Sequence, residues 1–180
     1  MSIKHWLRVA IVLTLVTCGL AVQSRAEEEA FEAMAVWHGD GQVYEIGENR
    51  ILFVGEYRGI LFVEDGKGRL DAATMLCPGT VETNLEAGSK TGQGRCIMTG
   101  REGNTVFAKW SCSGNVIMCK GTFSFTGGTG EFEGITGDNE FMARTALIQL
   151  TRIGPGEGLR EAVGLAIWPN LRYTLPSGSQ

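Results

Sequence analysis

The chain is predicted to be all-β, an antiparallel sandwich or barrel, and three observations carry that prediction. From residue 42 onward it is written in short β-branched and aromatic runs. Glycine-bearing turn signals separate the runs: "GDG", "EDGKG", "GSKTG", "REGN", "SGN" and "TGGTG". Helical periodicity is confined to one stretch near the start. Strand after strand at this close spacing is the pattern of an antiparallel sheet that packs or closes on itself.

Residues 1–26 read as a secretory signal peptide. Lys4 and Arg8 precede an apolar run from Val9 to Val22, and Ser24 and Ala26 occupy the small-residue positions of a cleavage site. The run of fourteen residues is short of the roughly twenty that a membrane-spanning helix needs, so no stable membrane anchor is expected. Cys18 lies late in the run, but Thr17 stands where a lipid-attachment signal wants Gly, Ala or Ser. Cleavage after Ala26 leaves 27–180 as a single domain with room for a real core, secreted or periplasmic.

Within that domain, "EEEAFEAMAVW" (27–37) is rich in Ala and Glu and sets Phe31, Met34 and Trp37 at helical spacing, predicting a short N-terminal helix. The barrel core is expected over about 42–153. Here "ILFVGE" (51–56) and "ILFVED" (60–65) echo each other around "EYRG", read as a turn. Neither run alternates, so each must bury its outer side as well, under the helix or another subunit. In "TVETNLEA", Val81, Thr83 and Leu85 face one way and Glu82, Asn84 and Glu86 the other. Residues 154–180 are read as an extended tail, with Leu171, Tyr173 and Leu175 on one side beyond Pro169.

The mature chain keeps four cysteines, Cys77, Cys96, Cys112 and Cys119, an even number in an oxidising compartment. Two disulfides are expected. Three connectivities are open from sequence, but Cys112 and Cys119 flank the "SGN" turn, so neighbouring strands would bring them together and leave Cys77 for Cys96. No CxxC pair supports a zinc site.

Thirteen basic side chains against twenty acidic ones leave the mature chain at a net charge of −7, which disfavours nucleic acid and anionic surfaces. The segment "GTFSFTGGTGEFEGITG" (121–137) lacks the GxxxxGK of a phosphate loop, and Glu131 and Glu133 stand where a phosphate would want cations. Its glycines are expected to serve tight turns and sharp strand bends.

That same segment resembles the glycine-rich hairpin of the allene oxide cyclase and dirigent β-barrels, in which TGG[ST]GxFxG joins two late strands; the likeness covers Lys120 to Arg144. It marks Gly127, Gly128, Gly130, Phe132 and Gly134 as the structural hairpin. The resemblance implies an eight-stranded, calycin-like antiparallel barrel with a central cavity, and a homo-oligomer, often a trimer. It does not carry over catalytic residues.

No catalytic constellation is legible. His38 is the only mature histidine and no GxSxG elbow is present. Glu56, Glu64, Glu82 and Glu86 read as a solvated face, and Asp40 and Asp71 as turn residues rather than metal ligands. No cofactor, metal or nucleic-acid partner is expected. Candidate cavity residues for a small apolar ligand are Phe53, Phe62, Trp110, Met118, Phe123 and Phe141. Three functions stay open: an exported barrel binding a small apolar or amphipathic ligand, an envelope interaction protein with a filled barrel, or a cofactor-free cyclase or isomerase.

Overall fold

The computed structural model describes residues 26–176; the expected signal peptide, save Ala26, and Cys18 lie outside them. Eight antiparallel strands form a closed barrel: β1 (Glu27–Gly47), β2 (Arg50–Val63), β3 (Ala73–Asn84), β4 (Ser89–Thr99), β5 (Thr105–Asn115), β6 (Met118–Gly128), β7 (Gly137–Gly154) and β8 (Glu157–Leu175). Each strand pairs with its neighbours in sequence, and β8 returns to β1 from Glu27↔Leu175 to Tyr44↔Glu157. This is the calycin-like topology.

The expected N-terminal helix is not formed; residues 27–37 are the first half of β1. Alternation decides the matter: Phe31, Ala33, Ala35 and Trp37 turn inward while Glu32, Met34, Val36 and His38 turn outward. Both edges of the segment are engaged, by β2 and by β8, and such pairing overrides an Ala- and Glu-rich composition. Three expected turns are strand as well, "SGN" (113–115) being the end of β5, ahead of the turn at 116–117. "GDG" (39–41) lies within β1, and "EYRG" within β2, so the two "ILFV" runs belong to one strand of 14 residues. Residues 157–175, read as an extended tail, form the strand that closes the barrel.

Inward side chains make a large apolar core and a smaller cluster of Val43, Phe53 and Val81. Trp168, Tyr173, Phe123, Leu61, Met98 and Val106 are almost fully buried in the large core. A membrane-spanning barrel turns its apolar band outward around a polar interior; here the interior is apolar, and β4 and β5 turn Gln93, Arg95, Lys109 and Ser111 outward.

The barrel has two unlike ends. At one, the connections between β2 and β3, β4 and β5, and β6 and β7 fold over the opening. Leu70, Phe132 and Ile135 from them join Leu171 and Leu175, each at most 1% exposed. Asp71 anchors this plug: its carboxylate accepts the Val63 N–H at 3.0 Å and pairs with Arg101. Where β8 bulges near Pro169, the Asn139 side chain bonds both the N–H (2.7 Å) and the C=O (3.0 Å) of Arg172, standing in for the missing ladder. The glycine-rich segment is part of the plug. After β6 it makes a single 3₁₀ turn (Gly130–Phe132) with Gly130 and Gly134 at φ 56° and 75°, a backbone that side-chain-bearing residues avoid.

The opposite end carries the four hairpin turns between β1 and β2, β3 and β4, β5 and β6, and β7 and β8. No loop of the plug kind covers it among the described residues.

Candidate functional site in the barrel interior

Inward glycines shape the space behind the hairpin end. The Trp110 indole lies against Gly79, Gly92 and Gly94, where an added Cβ at Gly94 would stand 2.6 Å from Nε1. Tyr57 lies over Gly39 in the same way, and Trp37 over Gly164. Rings laid flat on bare backbone line a wall instead of crossing the bore. Tyr57 meets both Trp37 and Trp110 edge-on, at centroid distances of 5.3 and 5.9 Å.

The result is a cavity of about 90 Å³. Phe123, Phe141 and Trp168 form its floor, with Trp168 stacked on Phe141 at 5.9 Å and edge-on to Phe123 at 5.3 Å. Small residues on the facing wall, Ala35, Ala143 and Ala166, keep it from being filled. Both disulfides, Cys77–Cys96 between β3 and β4 and Cys112–Cys119 between β5 and β6, have the expected pairing and line the same space. The volume is well below the roughly 300–1,000 Å³ of pockets that enclose a drug-sized molecule, so the cavity admits a narrow apolar group and no fused ring system.

Two cations stand in this apolar wall, Lys90 from β4 and Arg160 from β8, while a third basic lining residue, Arg58, is exposed and paired with Glu56. The Lys90 ammonium donates to the Val116 carbonyl at 2.9 Å and reaches Thr145 Oγ1 at 3.5 Å, which places its head toward the hairpin end. Burial, with Arg160 close by, pulls its pKa down to about 8. Arg160 lies over the Phe53 ring and beside the Tyr57 hydroxyl. Burial raises the Tyr57 pKa, and the Arg160 charge offsets that only in part. Among the described residues no ion pair includes Lys90 or Arg160. Three buried N–H donors of the lining have no acceptor: Arg160 Nε, Trp110 Nε1 and Trp168 Nε1.

Of the sequence candidates, Trp110, Phe123 and Phe141 line the cavity. Phe53 sits beside it, buried with Val43 and Val81 under Arg160. Phe62 is on the outer face, 44% exposed, because its neighbours Leu61 and Val63 point inward. Met118 is outside the lining, on the strand face opposite Cys119. The acids are elsewhere: Glu82 pairs with Arg50, Glu56 with Arg58, and Glu64 and Glu86 are exposed. His38 and Asp40 share the outer surface of β1.

Lys90, Arg160, Trp37, Tyr57 and Trp168 were missed as lining residues. Strand parity holds the signal for them. Counting back in twos from Cys96 reaches Lys90, and from Trp168 reaches Arg160.

A wider depression of about 820 Å³ runs over the outside of β2 to β6, walled by residues such as Gln93, Arg95, Lys109 and Thr122. A molecule lying there would rest on one face of a sheet and keep much of its surface in water, so the interior is the stronger candidate. In comparison with known proteins, no family model matches the chain and none of the curated proteins matches it in sequence.

Proposed function

We propose that the protein is an exported barrel of the allene oxide cyclase and dirigent type that holds a small apolar or amphipathic ligand in its interior. One observation carries the reading: an aromatic-walled cavity is plugged at one end by Leu70, Phe132 and Ile135 and faces the uncovered hairpin end with the other. Apolar walls favour an apolar guest because its transfer out of water is favourable, at roughly 25 cal/mol per Å² buried. The bore's narrowness favours a slender one. The lining is mostly aromatic, aliphatic and disulfide, which favours holding an apolar guest over cyclase or isomerase chemistry on it.

The test is native mass spectrometry of the protein purified from its own host. The reading expects one small additional mass per chain, removed by organic extraction. A bare-chain mass before and after extraction would favour the interaction role instead.

A second reading has its own support. The outer faces of β8, β1 and β2 form an apolar surface in which Met34 sits between Phe62 and Ile167, and Val36 between Ile60 and Leu165. Val36 is 58% exposed. Beside this face, residues 146–154 of β7 have a strand partner on one side only, since pairing with β6 ends at Arg144. Apolar patches and open edges of this kind serve protein association, and a homo-oligomer would cover them. This assembly is compatible with a ligand inside the barrel.

A further inference from the structure

We infer that Lys90 and Arg160 form a seat for the oxyanion head of an amphiphile whose narrow apolar tail lies between the aromatic walls. The inference rests on the ligand-binding reading and goes beyond it by assigning the ligand's charge.

Four observations lead to it. First, Lys90 and Arg160 are set in one apolar wall, with the Arg160 charge close enough to disfavour that of Lys90, and neither has a counter-charge there. Removing a charge from water costs several kcal/mol unless a partner restores it. Second, the described carboxylates do not supply that partner. Each ion pair runs between other residues, and those at the plugged end, Glu27, Glu29 and Glu131 on Arg69 and Asp71 on Arg101, belong to the far side of the core.

Third, the polar heads near the hairpin end of the lining are donors: the Lys90 ammonium, the Arg160 guanidinium and the Tyr57 hydroxyl beside it. A buried donor left without an acceptor is costly, so a guest that brings acceptor oxygens is favoured and one that brings only donors is not. Fourth, the placement is polarised. The Lys90 head reaches the Val116 carbonyl in the turn between β5 and β6, whereas Phe123, Phe141 and Trp168 lie deeper. A charged head at the hairpin end and a tail directed toward the plug satisfy both regions together. A carboxylate, sulfate or phosphate monoester offers the same charge-assisted acceptors, and the shared chemistry is an oxyanion on a slender chain.

The experiment is isothermal titration calorimetry of the mature, disulfide-intact protein at pH 7 with octanoate, octyl sulfate, 1-octanol and octylammonium. The two oxyanions are expected to bind at least tenfold more tightly than 1-octanol, with octylammonium weakest. Lys90→Met should weaken both oxyanions at least tenfold and leave 1-octanol within about twofold, and Lys90→Arg should restore most of the loss. Arg160→Met provides the second variant should either alone disturb folding, which circular dichroism reports. Equal binding of octanoate and 1-octanol to the parent would overturn the oxyanion seat while leaving the ligand-binding reading in place. Failure of all four compounds to bind would overturn both.

Discussion

The guanidinium carbon of Arg160 lies 4.5 Å from the centre of the Phe53 ring. A cation over an aromatic face is attracted by the ring quadrupole, most strongly where water is excluded. Phe53 is 2% exposed and belongs to a small cluster with Val43 and Val81, so it supports the arginine from beneath and closes the sheet near the hairpin end. Phe53→Ala is expected to destabilise the protein by roughly 3–5 kcal/mol, as for other buried phenylalanines. Denaturant unfolding checks the value; a loss under 1 kcal/mol would remove Phe53 from the account of the mouth.

The glycine segment makes a separate prediction, because its two central glycines are needed for different reasons. Gly130 sits at φ 56° against the Asn104 side chain, whereas a Cβ on Gly128 would stand 2.6 Å from Phe132 Cβ. Valine at either position should lower stability by more than the roughly 1 kcal/mol of an ordinary glycine change. Alanine should be tolerated better at 130, where the neighbour is a side chain, than at 128, where backbone oxygens of Phe132 and Thr105 are close. Thermal melts of the four variants give the order.

Lys90 predicts opposite pH dependences for binding and for stability. Its pKa is lowered to about 8, first by burial and then by Arg160; the other charged or titratable groups of the lining are Arg58 and Tyr57, and Tyr57 is shifted upward. An oxyanion prefers the protonated lysine, so octanoate affinity should be level below pH 8 and fall above it, by up to about tenfold per unit. Between pH 8 and the usual lysine value near 10.5 the unfolded chain holds more protons at this site than the folded one. This group's contribution to stability therefore rises with pH over that window. Titrations and melts at pH 7, 8 and 9, each compared with Lys90→Met, separate the two effects, and a pH-independent difference between parent and variant would contradict the assignment.

How much of this was legible in sequence depended on which signal each residue carried. The glycine-bearing turns and the even cysteine count reported the sheet and both disulfides, because turn chemistry and strand adjacency are local. The start of β1 was not legible as strand: Phe31, Met34 and Trp37 fall at helical spacing, and the two ladders that hold them come from β2 and from β8, more than a hundred residues away in the latter case. The lining was only partly legible for a related reason. Choosing large aromatics finds Trp110, Phe123 and Phe141, yet Phe62 has the wrong parity, while Lys90 and Arg160 have the right one and lie outside any choice made by apolar residue type. In a strand that keeps its register, as β2 does from Ile51 to Val63, parity decides which face a residue takes and residue type does not.

The outer face of β1 and β2 is expected to be covered in solution. Phe62→Glu places a charge in the middle of the surface shared by Met34 and Ile60, on a side chain that already faces outward. It should therefore leave the fold intact and shift the protein to monomer. Sedimentation velocity of parent and variant checks this, and a parent that is monomeric at every concentration would show that the face is not a self-association surface.

Contact quenching of the tryptophans reports whether the interior receives a narrow apolar guest. All three tryptophans of the described residues, Trp37, Trp110 and Trp168, line the cavity. A neutral chain ending in a heavy atom, 8-bromo-1-octanol, should quench their fluorescence saturably in the parent protein. The Ala143→Phe variant, which fills part of the lining, should lose that saturable phase while keeping its circular dichroism spectrum. Quenching that rises linearly with concentration and is the same in parent and variant would contradict entry of the guest into the interior.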